Sequence, residues 1–185
     1  MNFKKFPLSE VVLFEPTKFG DDRGFFMETF KAHLFNEIVG YETIFVQENH
    51  SLSAQRGTVR GLHYQSPPHG QGKLVRCTRG SIIDVAVDVR QGSSTYGQHV
   101  RVELNAYNAH QLWVPAGYLH GFATLEPDTE VLYKVTDYYS PECDGNVLWN
   151  DPELNIDWGI TESKAVLSAK DAVAPTFGFF QSPFK

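Results

Sequence analysis

The chain has 185 residues, a formal net charge of −6 and a pI near 5.6, which argue against a generic nucleic-acid or membrane-surface binder because both partners are polyanionic. The length suits one domain, residues 1–185, with a sizeable core. Two cysteines are too few for a disulfide framework, and no apolar segment approaches the length of a membrane span, so we expect a cytoplasmic protein without a membrane partner.

Short runs of β-branched and aromatic residues recur along the chain, separated by turns rich in Gly, Pro, Asn and Asp. From the N-terminus onward they predict strands at residues 11–14, 44–51, 59–65, 73–78, 82–89, 100–104, 111–114 and 130–136. Apolar residues at helical spacing predict one amphipathic helix over residues 30–39, ended by Gly40. Many short strands with little helix are typical of an antiparallel β-sandwich or barrel.

The stretch from Arg56 to Arg79 groups one histidine with two cations. His63 lies in a short apolar run, with Arg60 three residues before it and Lys73 ten after it. An imidazole is readily a base near neutral pH, and an ammonium can stabilise the oxyanion that forms when a proton leaves a carbon beside a carbonyl. The stretch therefore predicts a proton-abstraction site. The alternative is a core histidine with solvated strand charges around it.

The strand at residues 59–65 places these side chains on two faces. If it is extended, His63 shares a face with Gly61 and Gln65, whereas Arg60 lies on the other face. Arg60 can join His63 in one cavity only if the strand is kinked, and Gly61 is where a bulge costs least.

Polar side chains persist in other predicted strands, where they must be solvated or line a cavity. The strand at residues 44–51 ends in the polar run 47–51. Asp84 and Asp88 alternate with apolar residues, so we expect them on a wetter face or in a cavity. Tyr133 shares a face with two valines and should point inward, either as a core tyrosine or as a site residue.

Two further segments carry polar residues in turns. The spacing Pro115-x-Gly117-x-x-His120 predicts a tight turn that returns His120 to the next strand. Ser168 and Asp171, three residues apart, match a helix capping box with Asp in place of Glu. A structural role for Asp171 need not exclude a catalytic one.

Nine motifs now make the chain recognisable. In order they are F-G-D-D-R-G-F-F-M-E, F-V-Q-E-N-H-S, V-R-G-L-H-Y-Q, Q-G-K-L-V-R, D-V-A-V-D-V-R, Q-L-W-V-P-A-G-Y-L-H-G-F, Y-K-V-T-D-Y-Y-S-P-E, W-N-D-P and L-S-A-K-D-A. Together they resemble the dTDP-4-dehydrorhamnose 3,5-epimerase family over nearly the whole chain. The resemblance implies a cupin-type jelly roll, usually a homodimer whose first strands cross to the partner. It also implies cofactor-independent inversion of dTDP-4-dehydro-6-deoxy-D-glucose at carbons 3 and 5, giving dTDP-4-dehydro-L-rhamnose for carbohydrate biosynthesis.

The same resemblance assigns roles to individual residues. It implies that His63 is the base, oriented and kept basic by Asp171, and that Tyr133 is the acid on the opposite face. Lys73 stabilises the enolate oxygen. The implied sugar and phosphate pocket contains Gln47, Asn49, Arg60 and His120. The implied nucleotide contacts are Arg23, Phe26 and Glu28 from the partner chain, with Tyr138 and Lys170 also near the ligand.

Neither a metal nor a redox cofactor is expected. The Pro115 to His120 spacing matches the second cupin motif, but the first motif expects His-x-His and a following Glu. This chain has His63-Tyr64-Gln65 instead, and two histidines without a carboxylate make a poor transition-metal site. No Gly-x-Gly-x-x-Gly dinucleotide fingerprint occurs.

Two alternatives remain open. A 3-epimerase acting on the same substrate needs the same base, acid and lysine, because one inversion uses all three. A non-catalytic nucleotide-sugar binding module would explain a basic, aromatic pocket. It would not explain a histidine, a tyrosine and an aspartate that each stand in an active-site motif.

Overall fold

The computed structural model describes residues 1–6 and 10–185, and most of its regular structure is β-strand. The strands are β1 (Asn2–Lys5), β2 (Val12–Glu15), β3 (Phe19–Asp21), β4 (Gly24–Phe26), β5 (Gln47–Ser53), β6 (Val59–Gln65), β7 (Lys73–Arg79), β8 (Ser81–Asp88), β9 (His99–Asn105), β10 (Gln111–Val114), β11 (Tyr118–Thr124), β12 (Thr129–Val135) and β13 (Asp144–Asn146). One helix, α1, covers Ala32–Val39, and 3₁₀ turns cover Glu162–Lys164, Asp171–Val173 and Phe177–Phe179. Among the described residues no helix is long and apolar enough to cross a membrane.

Two antiparallel sheets face each other. The six-stranded sheet has the order β1-β2-β10-β7-β12-β5, and the five-stranded sheet has the order β13-β6-β11-β8-β9. β3 and β4 form a separate hairpin. The arrangement confirms the predicted all-β jelly-roll sandwich with little helix. The predicted strands 59–65 and 111–114 are observed with the same ends, and the others with ends shifted by one to three residues.

The central core lies between the two sheets. The six-stranded sheet contributes Leu13, Val75, Cys77, Leu112, Val114 and Val131, and the five-stranded sheet contributes Ile82, Ala86, Leu104, Tyr118 and Phe122. Because side chains alternate between faces along a strand, residues two positions from these point to the same interior. Lys73 and Tyr133 therefore lie on the inner face of one sheet, and Asp84 and His120 on the inner face of the other.

Part of the outer face of each sheet is covered by other segments of the chain. Helix α1 packs Phe35 and Ile38 on the outer side of the six-stranded sheet, where Trp113 and Phe14 lie. Its end at Gly40 is confirmed, since Gly40 has a φ of 92° and donates to Asn36 O. The C-terminal segment covers the five-stranded sheet with buried residues that include Val147, Trp149, Leu154, Trp158 and Phe184.

β6 contains the bulge at Gly61 that Arg60 and His63 need in order to face one cavity. His63 pairs with His120 and Arg60 pairs with Phe122. The paired positions are therefore three residues apart in β6 but only two residues apart in β11. Gly61 within the bulge has a φ of 140°, and a Cβ there would lie 2.5 Å from Gly121 Cα. Only glycine fits this position, and the extra residue turns the Arg60 side chain toward the cavity that His63 faces.

The alternation in β8 allowed Asp84 and Asp88 to lie on a solvated face, but the structure does not place them there. Both are buried, with exposures of 0% and 2%. Asp84 is paired with His120, and Asp88 with Arg90. The apolar neighbours predicted the strand correctly, but ion pairing allows a carboxylate to be buried.

Candidate active site

A cavity of about 810 Å³ opens between the two sheets. The six-stranded sheet lines it with Gln47, Asn49, Lys73 and Tyr133, and the five-stranded sheet with Arg60, His63, Gln65 and His120. The C-terminal segment adds Ser168 and Asp171. All four predicted catalytic residues and four of the nine predicted binding residues therefore surround one space.

His63 is held by a buried carboxylate. Its Nε2 lies 2.6 Å from Asp171 Oδ1, and the Asp171 side chain is only 4% exposed. The Ser168 hydroxyl donates to Asp171 Oδ2 at 2.9 Å, and the Asp171 amide donates to Ser168 Oγ at 3.1 Å. The predicted capping interaction thus also orients the carboxylate, leaving Nδ1 of His63 as the ring nitrogen available to accept a proton.

The Asp171 carboxyl has a pKa below its ordinary value. Burial alone would raise the pKa, but the hydrogen bond and charge of His63, the Ser168 hydroxyl and the Lys170 charge together outweigh burial. The carboxylate is consequently ionised near neutral pH. It can stabilise the imidazolium that forms when His63 takes a proton.

Tyr133 enters the cavity from the opposite sheet. Burial raises the pKa of its phenol, more than the nearby charge of Arg60 and a hydrogen bond with Asn49 lower it. Asn49 lies directly opposite Tyr133 in the pairing of β5 with β12. The phenol is therefore protonated at neutral pH and suited to act as a proton donor.

Lys73 stands on the same inner face as Tyr133. Removal from water lowers the pKa of its ammonium to about 8, although the charges of Asp144 and Asp84 act in the opposite direction. At neutral pH most of the lysine is still charged. A desolvated ammonium interacts strongly with a developing oxyanion because little water screens it.

His120 forms a second histidine–carboxylate pair beside the first. Its Nε2 lies 2.8 Å from Asp84 Oδ1, with both side chains buried. His120 and His63 are paired residues on neighbouring strands, so the two imidazoles border the same wall of the cavity. The sequence pattern indicated His120 but did not indicate that Asp84 is its partner.

Hydrogen bonds also hold the polar groups of β5 and the Arg60 side chain that contacts β5. Arg60 donates from Nε to Ser53 Oγ at 3.3 Å and from Nη2 to Leu52 O at 3.2 Å. Gln47 Nε2 donates to Asn49 Oδ1 at 2.8 Å. These contacts fix a cation and two amides at the cavity wall, where they can bind phosphate or sugar oxygens.

Five predicted binding residues do not line this cavity: Arg23, Phe26, Glu28, Tyr138 and Lys170. The first three belong to or follow the exposed β3–β4 hairpin, where Arg23 pairs with Asp21. Tyr138 is 63% exposed, and Lys170 is ion-paired with Asp144, which does line the cavity.

Several residues that line the cavity were not predicted from the sequence. Gln71 and Tyr139 lie in loops, where no strand alternation predicts direction. Asp144 begins β13, which has three residues and is too short to show an alternation in the sequence. Tyr139 donates its hydroxyl to Asp144 Oδ2 at 3.1 Å. Gln65 shared the predicted face of His63, and this signal could have placed it in the site.

The arrangement suits proton transfer at carbon. A base held by a carboxylate and a neutral phenol enter the cavity from facing sheets, with an ammonium beside the phenol. Across the described part of the chain, no three His, Cys, Asp or Glu side chains are grouped to hold a metal ion.

Comparison with known proteins gives a family. A family model described as dTDP-4-dehydrorhamnose 3,5-epimerase matches residues 5–178. The enzyme of that name from Sinorhizobium fredii is 53% identical over 176 residues, which is 95% of this chain and 89% of the relative. Its counterpart from Pseudomonas aeruginosa is 50% identical over 177 residues, 96% of each chain.

A solved structure agrees with these relatives. The dTDP-6-deoxy-D-glucose-3,5-epimerase of Legionella pneumophila, crystallised with dTDP-4-keto-L-rhamnose, matches with a TM-score of 0.92 and 44% identity, covering 97% of this chain and 94% of that one. Sequence motifs, sandwich and nearly full-length matches all agree, and the chain belongs to the dTDP-4-dehydrorhamnose 3,5-epimerase family.

Proposed function

We propose that this chain inverts carbons 3 and 5 of dTDP-4-dehydro-6-deoxy-D-glucose, giving dTDP-4-dehydro-L-rhamnose, with His63 as base and Tyr133 as acid. The observation that carries the assignment of roles is that His63 and Tyr133 project from facing sheets into one cavity. Family membership makes the chain an epimerase, and the ligand of the Legionella structure supports a dTDP-4-keto sugar as its substrate.

The chemistry follows from the keto group at carbon 4. Carbons 3 and 5 both neighbour this carbonyl, so a proton leaving either carbon places negative charge on the carbonyl oxygen as an enolate. His63 removes the proton through Nδ1, and Asp171 stabilises the resulting imidazolium. Lys73 stabilises the enolate oxygen, and Tyr133 returns a proton to the opposite face of the ring. A positioned acid and a positioned base each increase the rate by about 10²–10⁴-fold.

The nucleotide half of the substrate needs contacts beyond these four residues. Arg60, Gln47, Asn49 and His120 bind the sugar and phosphates. Tyr138 and Lys170 stand near the ligand, and the partner chain supplies Arg23, Phe26 and Glu28 for the nucleotide.

This partner chain belongs to a homodimer with exchanged first strands. The β3–β4 hairpin supports the dimer, because Phe19, Phe25 and Phe26 on it are 63%, 60% and 71% exposed. Exposed clusters of large apolar side chains are a feature of protein interfaces.

Residues 1–185 act as one epimerase domain, since the C-terminal segment supplies both core residues and Asp171. The enzyme works in the cytoplasm, in keeping with two cysteines that are both free.

The test is NMR analysis of the product formed in deuterium oxide by chelator-treated protein. The proposal predicts deuterium at carbons 3 and 5 with the L-rhamno configuration. Deuterium at carbon 3 alone would assign a 3-epimerase. Binding of the sugar nucleotide without exchange at either carbon would overturn the catalytic assignment.

A further inference from the structure

Gln65, the last residue of β6, connects the strand that carries His63 to two loops at the cavity. It is 5% exposed and lines the cavity two residues beyond His63. Buried amides are usually hydrogen-bonded, since an unpaired one is costly.

The Gln65 amide is occupied by backbone groups of both loops. Its Nε2 donates to His69 O at 2.6 Å and to Tyr138 O at 3.0 Å, and its Oε1 accepts from the Ser140 amide at 3.0 Å. Two carbonyls can only accept and one N–H can only donate, so these partners also fix which end of the amide is oxygen. Neither glutamate nor methionine can reproduce all three bonds.

These bonds hold the segment from Tyr138 to Ser140. Tyr139 of this segment lines the cavity, and its hydroxyl contacts Asp144. Tyr138 projects outward, yet its carbonyl is one of the two that Gln65 holds. Ser140 is buried, so its amide depends on Gln65 for a partner that water cannot easily replace.

We infer that Gln65 is a positioning residue that sets the Tyr138–Ser140 segment as one wall of the substrate cavity. The inference rests on the proposed function, because it requires a ligand that this wall contacts. Gln65 acts through the segment and carries no proton in the reaction. Its loss should therefore weaken binding of the dTDP-keto sugar and slow turnover by misplacing the ring, with the base and its carboxylate still in place.

The test compares Gln65→Met with Gln91→Met. Gln91 also donates its amide to a backbone carbonyl, Ser182 O at 2.6 Å, but it does not line the cavity. For Gln65→Met we expect KM for the dTDP-keto sugar and Kd for dTDP to rise about tenfold, the factor that corresponds to about one net hydrogen bond. Gln91→Met should keep both constants.

Hydrogen–deuterium exchange of the peptide around residues 137–143 gives the second readout. In the Gln65→Met protein this peptide should exchange its amide hydrogens faster than in wild type, and dTDP should protect it less. Gln65→Glu covers the case in which the methionine variant does not fold, since its carboxylate can still accept from Ser140 while repelling the two carbonyls. Its defect should shrink relative to wild type as pH falls and the acid regains a donor.

The outcomes separate the two claims. Wild-type KM, dTDP affinity and peptide protection in a folded Gln65 variant would overturn the inference while leaving the function intact. Absence of exchange at carbons 3 and 5 in the wild-type enzyme would instead overturn the function on which the inference rests.

Discussion

Replacing Asp171 by asparagine should slow catalysis and leave the cavity shape unchanged. The substitution removes a charge 2.6 Å from His63 Nε2 in a place where the carboxylate side chain is 4% exposed. Hydrogen bonds to charged groups contribute about 1.5–3 kcal/mol. Since about 1.36 kcal/mol corresponds to tenfold in rate, kcat should fall about 10- to 160-fold, with KM changed little.

The assay is steady-state turnover of the dTDP-keto sugar, coupled to reduction of the product. Ser168→Ala is the graded comparison, because it removes the neutral hydroxyl from the other carboxylate oxygen at 2.9 Å. It should cost about fivefold in kcat, as expected for about 1 kcal/mol. Wild-type kcat in a folded Asp171→Asn protein would refute the proposed support of His63 by Asp171.

The lowered pKa of Asp171 also makes a prediction about stability. A carboxyl whose folded-state pKa is depressed stabilises the fold above its unfolded pKa and loses this contribution as pH falls through the folded value. The stability difference between wild type and Asp171→Asn should therefore be present at pH 7 and decrease below the ordinary value of 3.8. Urea unfolding from pH 7 to pH 3 measures it, and a difference that grows on acidification would contradict the pKa direction.

Further predictions concern other groups of the site and fold. The pKa of about 8 for Lys73 predicts that kcat falls above that pH as the ammonium is lost, and Lys73→Arg should move this limb to higher pH in the rate profile. Asp84→Asn should lower kcat/KM about tenfold or more by removing the charged partner of His120, whereas an unchanged value would make the pair purely structural. Asp88→Asn should cost about 1.5–3 kcal/mol in urea unfolding with kcat retained, because the buried Asp88 carboxylate bonds the part-buried Arg90 away from the cavity.

Local patterns predicted the strands and the inward faces well. Alternation with Val131 and Val135 correctly predicted that Tyr133 points inward, and Gly61 between Arg60 and His63 marked the place where a bulge costs least, which is where the bulge occurs. These features depend on neighbours within one strand, which a sequence displays directly.

Contacts between segments that are distant in the sequence were harder to predict. The Ser168 and Asp171 capping pair was visible locally, but its meeting with His63 was supplied by the family resemblance. The burial of Asp84 against His120 is a cross-strand ion pair that no spacing rule predicts. Loop residues such as Tyr139 were not predicted, because their side-chain directions depend on the folded loop.

The central claim is that His63 removes the proton that Tyr133 returns on the other face. Exchange of substrate hydrogen with deuterium oxide, followed by NMR in Tyr133→Phe and His63→Asn enzymes, tests it most directly. The account predicts deuterium in recovered substrate without inversion for Tyr133→Phe, and no deuterium for His63→Asn. Exchange at carbon 3 by the His63→Asn enzyme at the wild-type rate would contradict the account.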